Sequence, residues 1–167
     1  MAVDVIIEDG RWEALGLEVL APRAVAAVFD HFGMKADDWD VVVLAANDAR
    51  ISVLNGDFRG KAQATNVLSW PSAERGALVE GAVPDLPTGD DALGDLALAF
   101  ETCLAEAAAG GISAEAHVTH LIVHATLHLL GYDHIRDGDG DLMEATEIAI
   151  LGELGIADPY GPNGSGD

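Results

Sequence analysis

HATLHLLGYDH, residues 124 to 134, is the stretch on which the reading of this chain turns. It closes a segment from Ser113 to about Leu130 whose pattern predicts a helix. His117, His120, His124 and His128 follow one another at steps of 3, 4 and 4, and on a helix those steps place all four along one face. His124 and His128 stand one turn apart, so both imidazoles reach a common point. Gly131 suits the left-handed conformation that ends a helix, and the chain then turns so that His134 comes back with a third nitrogen. Five of the six histidines of the chain lie between His117 and His134. His31 stands apart and reads as structural. His117 and His120 read as packing residues or as hydrogen-bonding neighbours of the triplet.

The spacing H-x-x-x-H-x-x-G-x-x-H is that of the zinc ligands in metzincin proteases. Those enzymes carry a glutamate directly after the first histidine as general base; here that position is Ala125. The ligand geometry is kept and the peptidase base is missing. Three histidines without a cysteine suit an open site with a water or substrate in the fourth position. Neutral imidazoles leave the charge of a divalent ion uncompensated, so such a centre attracts anions, polarises a phosphoryl oxygen and lowers the pKa of bound water. Hydrolysis of an anionic substrate fits this better than a purely structural metal. Zinc is the expected ion, one per chain, although imidazoles also suit nickel, copper or iron.

Working outward, residues 3 to 7 (VDVII) read as a strand. An alanine-rich helix is expected from Glu18 to Phe32, with Pro22 in its first turn and Gly33 just beyond its end. Residues 40 to 45 (DVVVLA) are short and β-branched, as a strand requires. Asn47 or Asp48 then caps a short helix through Ile51, Val53 and Leu54. A polar loop, GDFRGKAQ, leads into a strand at 65 to 71. Residues 72 to 94, rich in Pro, Gly and Asp, read as a long surface loop. Leu96, Leu98 and Phe100 alternate with alanines as a further strand. Helices are expected at 101 to 109, 113 to 130 and 141 to 154. There is no internal repeat. The expectation is one α+β domain over residues 1 to 160, a small sheet packed with helices that gather late in the chain, and a disordered tail at 161 to 167.

The chain has 167 residues, 8 basic against 29 acidic, and a formal net charge of −21. A pI near 4.2 argues against a protein that coats nucleic acid by neutralising phosphates, and reads first as a solvated surface. Half of the residues are hydrophobic, too many for intrinsic disorder. One cysteine, Cys103, excludes an internal disulfide framework and reads as a small buried hydrophobe. No signal peptide or membrane-spanning run is evident, so a cytoplasmic protein without membrane contact is expected.

The same residues resemble the YbeY endoribonucleases, a family of rRNA maturation factors marked by a histidine triad in an HGxLHLxGYDH-like segment. A family arginine loop leading into a strand is matched by LNGDFRGKAQATNVLSWP, residues 54 to 71, and further matches are LGDLAL at 93–98, MEATEIAIL at 143–151 and LGIADPY at 154–160. Ala125 stands where the family usually has glycine. The resemblance implies a mixed four-stranded sheet, zinc held by His124, His128 and His134, and cleavage of single-stranded RNA. It further implies a part in 3′-end maturation of small-subunit ribosomal RNA and in ribosome quality control, with ribosomal RNA, the small subunit and ribosome-assembly proteins as partners.

Arg59 matches the family arginine regarded as important for activity, and its planar fork suits a phosphate. With the three histidines it makes up the expected catalytic set. Lys61, Thr65, Asn66 and Ser69 are candidates for the substrate cleft. Asp133 is a candidate to orient a ligand imidazole, and Met143 to pack beneath the metal. Trp70 reads as core more readily than as a base-stacking surface. The competing readings are a metal hydrolase of a peptide or small phosphoester, and a non-catalytic ribosome-associated factor with structural zinc.

Overall fold

The computed structural model describes residues 3–35, 38–59 (57–59 as backbone only), 65–73, 75–87 and 92–160. Four strands form one mixed sheet: β1 (Val3–Ile7), β2 (Asp40–Ala46), β3 (Val67–Pro71) and β4 (Ala92–Ala99). The order across the sheet is β1-β2-β4-β3, with β1/β2 and β2/β4 parallel and β3/β4 antiparallel. Among the described residues six helices accompany it: α1 (Arg11–Leu15), α2 (Leu17–His31), α3 (Asp48–Arg59), α4 (Phe100–Gly110), α5 (Ala114–Leu129) and α6 (Asp137–Glu153).

The period-2 alternation of the two central strands divides the interior. Val41, Val43 and Ala45 of β2 and Leu96 and Leu98 of β4 point into the larger core, which they share with α2, α5 and α6. Ala46, Ala97 and Ala99 point the other way and meet Ile51 of α3 and Leu68 of β3, with Trp70 packed against them half-buried. Small side chains on that second face let α3 lie close to the sheet. Cys103 is buried, as its composition context suggested, and burial pushes its thiol up to about 12.

Several boundaries differ from those expected, each for a local reason. Helix α1 has five residues between Gly10 and Gly16, too short to show a period. It is fixed by Trp12, fully buried, whose Nε1 donates to the Ala46 carbonyl at 2.8 Å. Pro22 lies inside α2 rather than in its first turn. Asn47 is the cap of α3, its Oδ1 accepting from Arg50 N at 2.8 Å. The helix continues through Arg59, so the polar stretch expected as loop begins in helix; residues 60 to 64, Lys61 among them, lie outside the described residues, as does the tail 161–167. Strand β4 starts at Ala92 and ends at Ala99, and Phe100 opens α4. Helix α6 begins at Asp137, four residues early, and its first turns run through Gly138 and Gly140.

That early start has a tertiary cause. Gly138 N donates to Glu80 Oε2 at 2.7 Å, so a carboxylate from the 72–87 segment caps the first turn of α6. A Cβ on Gly138 would stand 2.9 Å from Glu80 Cγ, so glycine is what admits the cap. Asp139 returns the contact by accepting from Gly81 N at 2.8 Å. Arg136 donates to the carbonyls of Ala77 and Leu78. The segment expected as a long surface loop is thus tied at several points to the start of α6.

Candidate active site

Helix α5 begins at the Ser113 cap, whose hydroxyl accepts from Ala116 N at 3.0 Å. It ends at Leu129, and the chain turns at Gly131, whose φ of 102° is reached easily only by glycine. A side chain there would also collide with Arg75, since a Cβ would lie 2.3 Å from the Arg75 carbonyl oxygen. Arg75 closes the same corner by donating to the Leu129 carbonyl at 2.9 Å, near the end of α5. The turn so made brings His134 back over His124 and His128. Their ring centroids lie 5.7 and 5.3 Å from that of His134, and one nitrogen from each of the three falls within 4.8 Å of the others.

Tautomers follow from the hydrogen bonds. His124 Nδ1 faces Glu147 Oε2 at 2.9 Å, and His128 Nδ1 faces the Tyr132 carbonyl at 2.8 Å. Both partners only accept, so both Nδ1 atoms carry the proton and both Nε2 atoms present lone pairs. Those two Nε2 atoms stand 3.1 Å apart. Two lone pairs facing at that distance, with a third imidazole beside them, are a donor set for a cation. Burial, reinforced by His124, pushes the His128 ring down to about 4, which favours the neutral, ligating form. The residues present therefore fit a transition-metal ion such as zinc.

Glu147 is the residue that sequence reasoning missed. It is fully buried on α6 and serves two histidines, with His120 Nε2 at 2.6 Å from Oε1 and His124 at Oε2. Tyr160 donates its hydroxyl to the same Oε1 at 2.8 Å. Burial raises the Glu147 carboxyl, but the hydrogen bonds from His120 and His124 outweigh it and hold it down at about 2. His120, His124 and Glu147 also satisfy the spacing of a metal group. Their close mutual hydrogen bonds instead mark Glu147 as the anchor behind the triplet. A signal was available: Glu147 falls on the apolar stripe of the last helix, one turn from Met143 and Ile150, where a carboxylate needs a reason.

A cleft of about 600 Å³ opens over the triplet, lined also by Thr65, Asn66, Ser69, Glu106, His117 and Tyr160. A second hollow of about 1130 Å³ meets it at Ser69, His128 and His134 and runs beneath the 72–87 segment. The triplet thus lies where two troughs join. Asp133 points elsewhere than expected: its Oδ1 accepts from His134 N at 2.7 Å, shaping the turn, while Glu147 and the Tyr132 carbonyl take the ring protons. Met143 is buried in the main core and lines neither trough. Arg59 is the last residue of α3, its side chain outside the description. His31 is remote, with Nδ1 3.4 Å from Glu153.

No helix among the described residues is long and apolar enough to cross a membrane. The family model described as Endoribonuclease YbeY matches residues 8–155. A protein named Endoribonuclease YbeY from Ruegeria sp. (strain TM1040) is 52% identical, the alignment covering 96% of each chain. A protein of the same name from Cereibacter sphaeroides is 53% identical over 95% of this chain and 98% of its own. The solution structure of TM1509 from Thermotoga maritima superposes with a TM-score of 0.54 over 91% of both chains at 23% identity, which bears on the fold. Family model, relatives at half identity over nearly the whole length and the four-stranded sheet agree, and this chain belongs to the YbeY endoribonuclease family.

Proposed function

We propose that this chain is a zinc-dependent endoribonuclease that cuts single-stranded RNA, with His124, His128 and His134 as ligands. The observation that carries the reading is the pair of Nε2 lone pairs 3.1 Å apart, beside a third imidazole and at the junction of two open troughs. Zinc held there supplies Lewis-acid stabilisation of negative charge developing on a phosphoryl oxygen.

The chain's own residues do the rest. Glu147 keeps the proton on His124 Nδ1 and the Tyr132 carbonyl keeps it on His128 Nδ1, so both rings stay aimed at the junction. Ser69 lines both troughs and offers a hydroxyl to the ribose-phosphate chain at the point of cleavage. Arg59 is the last residue of α3, and we assign it the clamp on the phosphate, with Lys61 as a further cation for the substrate. The position directly after His124, where a peptidase carries its base, is the buried Ala125, and Glu147 faces the Nδ1 side of His124. The biological substrate in this reading is the 3′ end of small-subunit ribosomal RNA, processed in the cytoplasm on the small subunit with assembly proteins and subject to quality control. One domain, residues 1–160, performs it.

The test is metal content of the purified chain by mass spectrometry beside cleavage of single-stranded ribosomal RNA, for wild type and a His124→Ala/His128→Ala variant. About one zinc per chain, with cleavage, and loss of both in a variant that keeps its circular dichroism spectrum, is the expected result. A wild type that takes up no metal on titration overturns the reading. A variant that unfolds on losing zinc points to the structural role instead.

A further inference from the structure

The wall of the cleft beyond His120 carries chemistry that the metal centre does not use. Glu106, near the end of α4, holds its Oε1 between His117 Nε2 at 2.9 Å and Asn66 Nδ2 at 3.0 Å. His117 is 8% exposed and fixed on α5, and Asn66 is fixed in turn, its Oδ1 accepting from Val67 N at 2.7 Å. The carboxylate is therefore held from two sides, while its Oε2 takes no hydrogen bond from any described residue and the side chain is 41% exposed. All three residues line the same cleft as His124, His128 and His134. His117 and His124 are seven residues apart on one helix, about 10 Å along its axis.

A fixed carboxylate repels a phosphate, so this end of the cleft is not a backbone site. It is an acceptor for a donor group on whatever neighbours the scissile linkage. We propose that Glu106, positioned by Asn66 and His117, is the reading group of a base subsite that takes a nucleobase with an exocyclic amino group and disfavours uracil. This rests on the reading of the cleft as an RNA site.

The chemistry separates the bases. Cytosine and adenine each present an amino N–H at the Watson–Crick edge, and guanine presents adjacent N–H donors. Such edges are read in single-stranded RNA, where the bases are unstacked. Uracil has no amino group; its one imide N–H lies between two carbonyl oxygens, which a carboxylate repels. A carboxylate accepting from an amino group is an established mode of base readout. The second proton of Asn66 Nδ2 and the Thr65 hydroxyl, in the same wall, can serve the acceptor that adjoins the amino group in cytosine and adenine.

Two measurements test the subsite. One is binding of the pentanucleotides CCCCC, AAAAA and UUUUU to the metal-loaded chain, followed by fluorescence anisotropy on 2′-O-methyl versions that cannot react through that hydroxyl. The other is cleavage of a randomised single-stranded RNA, with both product ends sequenced. Wild type is expected to bind the cytidine and adenosine oligomers roughly five- to tenfold tighter than the uridine one, and to cut with uridine depleted at one fixed position beside the break. Glu106→Gln exchanges an acceptor for a donor at nearly constant shape, and is expected to bring the preference close to unity. Equal binding of all three oligomers by wild type overturns the proposal, as does a preference that persists undiminished in a folded Glu106→Gln. Should Glu106→Gln fail to fold, Asn66→Asp, which removes one of the two groups that fix the carboxylate, is expected to weaken the preference; an undiminished preference there counts against the subsite. A binding preference without cleavage of any RNA would leave the subsite standing and remove the endoribonuclease reading, so the two failures are distinguishable.

Discussion

Glu147 shows how much of this site rests on one side chain that no motif names. Two imidazoles and a phenol converge on its carboxylate inside the core, and the tautomer of His124 depends on it. Glu147→Gln keeps the volume but supplies one acceptor oxygen in place of two, so one histidine meets an amide N–H. Metal affinity is expected to fall roughly 10- to 100-fold, read by competition against a chelator, with the far-ultraviolet circular dichroism retained. Glu147→Ala leaves buried donors unpaired and is expected to cost on the order of 1–3 kcal/mol of stability as well, measured by urea denaturation. An affinity unchanged in Glu147→Gln would show that the triplet is held by packing alone. At this scale the histidines were legible because helical spacing and a glycine stop are local signals. Their partners were not, since Glu147 and Tyr160 reach them from 23 and 40 residues away, and no local pattern records such distances.

Among the elements, the turn between α5 and α6 and the 72–87 segment behave as one unit. Gly131 allows the turn and admits Arg75, and Glu80, Asp139 and Arg136 tie the segment to the first turn of α6. Gly131→Ala forces a left-handed backbone on a side chain and collides with the Arg75 backbone. It is expected to destabilise by more than about 1 kcal/mol and to weaken metal binding, because His134 is carried by that turn. Glu80→Ala removes only the cap of α6 and is expected to cost about 0.5–2 kcal/mol, with faster proteolysis or amide exchange confined to residues near 75–81. Metal uptake that stays unaltered in Gly131→Ala would show that His134 is not needed for the ion. Strands β1, β2 and β3 and helices α2, α4 and α5 were readable from periodicity and caps. The 72–87 segment was not, because its order comes from Arg75 and Arg136 donating to distant carbonyls, which composition reports only as Pro, Gly and Asp. Helix α6 was misjudged at its start for the same reason: two glycines weaken the local signal, and Glu80 restores the helix from outside.

For the whole molecule the question is how a chain of net charge −21 takes hold of a polyanion. Most of its arginines are already engaged within the fold. Arg11 pairs with Asp9 and Glu101, Arg50 with Glu8, Arg136 with Asp139, and Arg75 donates to backbone carbonyls. The proposed function assigns the contacts with phosphate to Arg59, Lys61 and the metal, and the base subsite contributes hydrogen bonds rather than charge. Each phosphate neutralised on a single strand contributes a slope of roughly −0.7 to log K against log salt. With two or three such contacts the slope is expected between about −1.4 and −2.1, shallow for an RNA-binding protein. It would be measured by anisotropy of a labelled 2′-O-methyl oligomer from 50 to 300 mM salt, a range chosen to span roughly the physiological value. Arg59→Ala should reduce the slope by roughly 0.7 and weaken binding to all sequences alike, whereas Glu106→Gln should leave the slope within error and alter only base preference. A wild-type slope steeper than about −4 would mean six or more phosphate contacts, and so a cationic track beyond Arg59, Lys61 and the metal. Binding too weak to measure on free RNA, alongside cleavage of RNA on the small subunit, would place the missing attraction on the partner, as the surplus of 29 acidic over 8 basic residues leads one to expect.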